Sequence, residues 1–259
     1  MKLFNLTDKV ALITGGNGGI GFAMAKAIGE AGATVVIAGR NEDKNRKSIE
    51  ELNSLNIKCK SLIVDVVDEN SCNTLIEDVV QAYGKLNILI NNAGTNIRKR
   101  PEEYELKEWI SIIDTNLIST FTCSKAAFNH FKNINSGKII NIGSMMGTVG
   151  VENGNYEGTD FTPATSPLYF YEKGGMHNFT RWAASMLGPF NIRVNCLAPG
   201  GFKVPSHPDR FVKNYSKRTQ LGRMANSTDL KGPIIFLASD SSAYLTGTII
   251  AVDGGYTAK

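Results

Sequence analysis

The sequence predicts a doubly wound α/β fold, one domain over residues 1–259. Its sheet is expected to have seven strands, mostly or fully parallel, with helices on both faces. Three observations predict it. Short β-branched runs alternate with helical patterns along the whole chain. Those runs lack the strict apolar–polar alternation of half-exposed strands, as expected of strands covered on both faces. No repeat, low-complexity tract or Pro/Ser-rich linker divides the chain, and doubly wound folds reach this length as one unit.

The elements follow in order. Residues 10–14 read as the first strand and 19–31 as the first helix, stopped by Gly32. Residues 34–38 form a second strand, 43–55 a charged amphipathic helix and 59–64 a third strand. A helix over 70–83 ends at Gly84, and 88–90 is a short fourth strand. A long helical stretch is expected over about 106–131, then a strand at 138–142, a helix at 168–187 and a strand at 192–197. Helices near 210–219 and 229–238 precede a last strand at 248–252. Right-handed crossovers turn such an order into a doubly wound sheet.

Composition excludes several classes. The apolar fraction is 42% and the charged fraction 20%, ordinary for a globular protein. The net charge of +4 comes without a basic run of five residues, which argues against a nucleic-acid partner. No apolar stretch suits a signal peptide or a membrane span. The four cysteines, Cys59, Cys72, Cys123 and Cys196, show neither CxxC nor zinc spacing, so no metal is expected. Scattered free thiols suit a reducing cytoplasm.

Between the first strand and its helix stands Thr14-Gly15-Gly16-Asn17-Gly18-Gly19-Ile20-Gly21. Such a turn lets backbone approach a ligand closely, and the helix N-terminus offers free N–H groups to a pyrophosphate. The alternative is a tight turn that binds nothing, but the βαβ context favours the ligand. The second strand ends in Gly39-Arg40-Asn41. A carboxylate there would hold the ribose hydroxyls of NAD. Arg40 instead suits a 2′-phosphate, so NADP(H) is favoured and NAD(H) stays open.

The spacing Thr14-Gly-x-x-x-Gly19-x-Gly21 resembles the cofactor loop of the short-chain dehydrogenase/reductase family, and the remaining landmarks fall in that family's order. They are Asp65-Val66, Asn91-Asn92-Ala93-Gly94, Asn116, Ser144, Tyr169-Phe-Tyr-Glu-Lys173 in the YxxxK pattern, Pro199-Gly200 and Val252-Asp-Gly-Gly255. The resemblance spans essentially the whole chain. It implies a Rossmann-type NAD(P)-binding domain and a hydride-transfer enzyme acting on a carbonyl or secondary alcohol. Cofactor contacts are expected from Gly15, Asn17, Gly18, Gly19, Ile20, Gly21, Arg40, Asn41, Asp65, Val66, Asn92, Ala93, Gly94, Pro199, Gly200 and Phe202, together with Tyr169 and Lys173.

The chemistry accounts for the tyrosine and lysine. An unperturbed phenol, with a pKa of about 10, needs about 4 kcal/mol of help to act as a base near pH 7. An ammonium at roughly 4–5 Å, with an effective dielectric near 20, supplies about that much. A lysine four residues after a tyrosine shares its helix face. The resemblance makes Tyr169 the acid/base and Lys173 the group that activates it and binds the nicotinamide ribose. Ser144 would hydrogen-bond the substrate oxygen, and Asn116 would hold a relay water.

One feature departs from the family. Tyr169 lies 25 positions after Ser144, farther than is usual. Tyr156 has the usual spacing but is followed four residues later by Asp160, which would oppose its ionisation. Residues 145–167 are therefore read as an insertion beside the site, forming a pocket wall, a lid or a subunit contact.

The substrate is expected to be small and polar, resembling the sugars and sugar acids of gluconate dehydrogenases. One of Arg98, Lys99 and Arg100 is a candidate for meeting its anionic group, with His207 and Arg210 in the closing segment. A homo-oligomer, most often a tetramer in the family, is expected through the helices near 106–131 and 168–187. Competing readings are a catalytically inactive dinucleotide-binding regulator, a reductase of 3-oxoacyl-type substrates, and a nucleotide-sugar epimerase or dehydratase. The last has little room, because only about 60 residues follow Pro199.

Overall fold

A computed structural model describes residues 2–97, 99–160 and 167–258. Seven strands form one sheet: β1 (Val10–Thr14), β2 (Thr34–Ala38), β3 (Cys59–Leu62), β4 (Ile88–Asn91), β5 (Gly137–Ile142), β6 (Ile192–Pro199) and β7 (Ile249–Val252). Their order is β3-β2-β1-β4-β5-β6-β7, and every pairing is parallel. The order reverses between β1 and β4, the topological switch point where open α/β sheets bind ligands beyond their carboxyl ends.

Parallel strands need long crossovers, and helices supply them. These are α1 (Gly19–Glu30), α2 (Glu42–Ser54), α3 (Glu69–Tyr83), α4 (Leu106–Ile113), α5 (Ser119–Asn133), α6 (Pro167–Leu187), α7 (Asp209–Ser216) and α8 (Lys231–Ala238). Successive strand residues point to opposite faces, so each strand feeds two cores. Ala11, Ile13, Val35, Ile37, Ile88 and Ile90 pack with Met24 and Ile28 of α1, Leu52 of α2 and Ile234 and Leu237 of α8. Val10, Leu12, Val36 and Leu89 pack with Leu75 and Val79 of α3, Phe131 of α5 and Ala183 of α6. This double burial explains the apolar runs of the central strands β1, β2 and β4.

Two expected boundaries shift for physical reasons. The third strand ends at Leu62, whose register partner Ala38 is the last residue of β2. Ile63 therefore has no strand to pair with and is 63% exposed. The long helix expected over 106–131 is broken by a π-turn, Asp114–Ile118, that separates α4 from α5. It contains Asn116, and π-turns inside helices often mark functional positions.

Candidate active site

The glycine turn is built by its neighbours. The Thr14 hydroxyl donates to Ile90 O (3.4 Å) and accepts from the N–H groups of Asn92 and Ala93, both at 3.1 Å. The Asn92 amide donates to Thr14 O and Gly15 O, each at 3.0 Å. Asn92 thus braces the turn, stitching the ends of β1 and β4 together at the switch point. Gly21 faces Gly15 O and the Asn92 amide so closely that a Cβ there would overlap both. Gly18 caps α1 without a side-chain hydrogen bond, which leaves the helix mouth open to an anion. Ile20 packs back onto the apolar core.

A cleft of about 280 Å³ opens from this turn. Gly15, Asn17, Val66, Ala93 and Gly94 line one side, and Arg40, Asn41 and Lys44 the other. Arg40 and Asn41 are exposed at the end of β2, and Asn41 caps α2 by accepting from Lys44 N at 2.8 Å. Lys44 is a second cation here that the sequence did not single out. Asp65 turns its carboxylate to its own loop, accepting from Val67 N at 3.3 Å, while Val66 is buried. Pro199 closes β6, Gly200 N donates to Val252 O (3.0 Å), and Phe202 bridges to Ala225.

The second cluster lies where α6 meets β5 and the π-turn. Lys173 Nζ donates to Ile142 O at 3.3 Å and lies 5.5 Å from the centre of the Tyr169 ring. Ser144, two residues beyond Ile142, is buried and extended, and accepts from Met146 N at 3.2 Å. Asn116 is locked to Thr95 in both directions: its amide donates to Thr95 O (2.8 Å) and accepts from Thr95 N (2.7 Å). The same amide nitrogen donates to Glu172 Oε2 at 2.5 Å, and Glu172 Oε1 lies 3.7 Å from Lys173 Nζ. Asn116, Glu172, Lys173 and Tyr169 are therefore one connected set, with Ser144 beside the Lys173 anchor.

Glu172 was not picked out from the sequence, though a signal existed. Leu168, Glu172, Met176, Thr180 and Ala184 form the buried stripe of α6 at four-residue spacing, and a carboxylate on such a stripe is rarely solvated. Burial pushes the Glu172 carboxyl above the usual range, against the pull of the Lys173 charge and the Asn116 hydrogen bond. One turn further, His177 is buried with Nε2 unpartnered among the described residues. Burial, with Arg181 nearby, holds its imidazole below the usual value.

The described part of the insertion, residues 145–160, is fastened to the rest of the fold, while residues 161–166 lie outside the described residues. Asn155 donates to the Tyr256 hydroxyl (2.9 Å), Asn214 of α7 donates to Glu157 O (2.9 Å), and Arg218 pairs with Glu152 (3.1 Å). Tyr156 packs on Phe211 with ring centres 5.4 Å apart, which makes it part of a small apolar cluster. The guanidinium of Arg210 rests against Gly158. Lys99 is already paired with Glu108 at 2.5 Å, so the structure argues against it as a free anion contact. Arg98 lies outside the described residues.

The switch point places the glycine cleft and the Tyr169–Lys173 pair on the same edge of the sheet, as bringing a nicotinamide to a substrate hydroxyl requires. That arrangement suits a nicotinamide-dependent oxidoreductase. Residues 15–257 match the family model described as enoyl-(acyl carrier protein) reductase. The chain belongs to the short-chain dehydrogenase/reductase family. It is 35% identical over 266 residues to 2-dehydro-3-deoxy-D-gluconate 5-dehydrogenase of Dickeya dadantii, covering 100% of this chain and 99% of that one. It is 32% identical over 254 residues to a 3-oxoacyl-(acyl-carrier-protein) reductase of Chlamydia muridarum, covering 96% and 98%. Among solved structures, gluconate 5-dehydrogenase of Burkholderia cenocepacia in complex with NADP and tartrate superposes with a TM-score of 0.89. That match has 30% identity and covers 99% of this chain and 98% of that one.

Proposed function

We propose that this protein interconverts a secondary alcohol and a ketone on a small polar, sugar-acid-like substrate with NADP(H), within one domain over 1–259. The observation that carries the reading is the Lys173 ammonium held over the Tyr169 ring and anchored on Ile142 O. A positive charge held beside a phenol favours its ionised form, the direction a tyrosine base requires.

The cleft fits the cofactor. The open mouth of α1 suits the pyrophosphate, and Arg40 with Lys44 suits a 2′-phosphate. Bound there, the nicotinamide supplies or takes the hydride. In oxidation, Tyr169 takes the proton of the substrate hydroxyl; in reduction it returns one to the developing alkoxide. Lys173 stabilises the phenolate and holds the nicotinamide ribose. Ser144 donates to the substrate oxygen, and Asn116 holds a water on the relay side of Lys173. The sugar-acid assignment draws on the gluconate-type relatives and on Arg210, exposed where the insertion meets α7.

A homo-oligomer, a tetramer, is part of the proposal. Leu106 and Ile110 of α4, Phe121 of α5, and Trp182 and Met186 of α6 are large exposed apolar side chains on the helices expected to pair. No helix among the described residues is long and apolar enough to cross a membrane. A cytoplasmic site of action is proposed from the free thiols.

The test is turnover followed by NADPH and NADH absorbance on keto-sugar acids, polyols, diketones and 3-oxoacyl thioesters. The expected result is activity on a sugar acid, with Tyr169→Phe lowering kcat by about 10²–10⁴-fold while leaving NADPH affinity unchanged. A fully active Tyr169→Phe enzyme would remove the catalytic assignment. Preference for the thioesters would move the substrate class.

A further inference from the structure

The YxxxK pattern leaves the position before the lysine open, and this chain fills it with a carboxylate. Glu172 is 1% exposed on a helix face otherwise made of Leu168, Met176, Thr180 and Ala184. A carboxyl taken that far out of water persists only where neighbouring groups use it. One oxygen accepts from Asn116. The other has no hydrogen-bond partner among the described residues and lies 3.7 Å from Lys173 Nζ. We infer that Glu172 is a positioning residue that pins Asn116 and offsets the Lys173 charge, and so sets how strongly that lysine acts on Tyr169. This rests on the function proposed above.

The electrostatics follow from the geometry. An ionised Glu172 draws on the same ammonium that Tyr169 needs and adds a like charge near the phenolate, which disfavours ionisation of the phenol. A protonated Glu172 leaves the ammonium to the tyrosine. Burial raises the pH at which Glu172 ionises, so the offset is absent at low pH and grows as pH rises. The surrounding elements leave Lys173 as the charge that acts on it. On α6 the other titratable groups are Tyr169, Tyr171, His177 and Arg181, with His177 held below its usual value. On β6, the Cys196 thiol is pushed up to about 12. The π-turn contributes Asp114. On α4, Lys107 and Glu108 are engaged with Glu105 and Lys99.

Two variants test this. Glu172→Gln keeps the shape and an oxygen for Asn116 but never carries charge, whereas Glu172→Ala loses both. For alcohol oxidation, Glu172→Gln is expected to move the kcat/KM–pH profile to lower pH by about one unit, with NADPH affinity unchanged within about twofold. Glu172→Ala should lower kcat across the profile.

A second readout needs no substrate. The folded-state value of the Glu172 carboxyl is raised from 4.5, so its contribution to stability is full below pH 4.5 and is lost as pH rises through the folded value. The melting temperature of Glu172→Gln relative to wild type should therefore climb with pH over that window. An unshifted profile, or Gln and Ala variants with the same lowered kcat and an unchanged profile, would overturn the inference. So would a flat melting difference. If no compound is turned over at all, the proposed function fails while the melting comparison still reports on the buried carboxyl.

Discussion

Two glycines three residues apart should respond to the same substitution in opposite ways. At Gly21 an alanine Cβ overlaps Gly15 O and the Asn92 amide, the contacts that hold β1 and β4 together at the turn. Overpacking of this kind typically costs about 1–3 kcal/mol. Displacing the Asn92 amide also strains its two 3.0 Å hydrogen bonds, worth about 1 kcal/mol each. Gly21→Ala is expected to lose about 2–4 kcal/mol in all, or roughly 5–15 °C in melting temperature for a chain of this size. At Gly18 an alanine Cβ meets nothing within 4 Å, and the φ of 177° is extended backbone open to any residue. Gly18→Ala should melt within about 2 °C of wild type. It crowds the mouth of α1, however, and should weaken NADPH binding at least about tenfold. Thermal unfolding with and without NADPH, plus a fluorescence titration, separates the two. A Gly21→Ala variant that melts like wild type, or a Gly18→Ala variant that binds NADPH normally, would contradict these roles.

Further outcomes follow from charged groups. Arg40→Ala should raise the NADPH Kd by about 10–100-fold, the range of a lost charge-assisted hydrogen bond, and leave NADH binding unchanged; equal effects on both cofactors would contradict the 2′-phosphate role. Asp229 is held down to about 2, first by the Arg223 side chain at 2.7 Å and then by the Asn226 N–H. Because the folded value lies below the ordinary 3.8, its stabilisation is fully present above pH 3.8 and lost as pH falls through 2. The melting deficit of Asp229→Asn should accordingly be constant near neutrality and vanish towards pH 2; a deficit that persists at pH 2 would contradict this.

The central strands were legible because they are buried on both faces, so every residue from Val10 to Thr14 had to be apolar or small. Where an element depends on a distant partner, the sequence falls short. Ile63 is β-branched and reads as strand, but β2 has ended opposite Leu62. The expected helix start at Asp229 fails because that carboxylate is engaged by Arg223 and Asn226 N, and α8 begins at Lys231. The π-turn was invisible for the same reason: no proline or glycine marks it, and its Asn116 is held by the Thr95 backbone, far away in sequence. Tyr169 and Lys173 were legible through their helical spacing. Glu172, inside the same motif, was missed because the motif was read for its ends and the buried stripe was not followed through it.

The break between α4 and α5 is a one-residue surplus stored in a helix. Deleting a single residue from 114–118 would let regular α-helical bonding run straight through, since nothing in the local composition forbids it. Each residue removed turns the preceding face by about 100°, which would carry Asn116 away from Thr95 and Glu172. In this chain a length change too small to disturb the sheet would undo the Asn116 contacts that tie the break to Thr95 and α6.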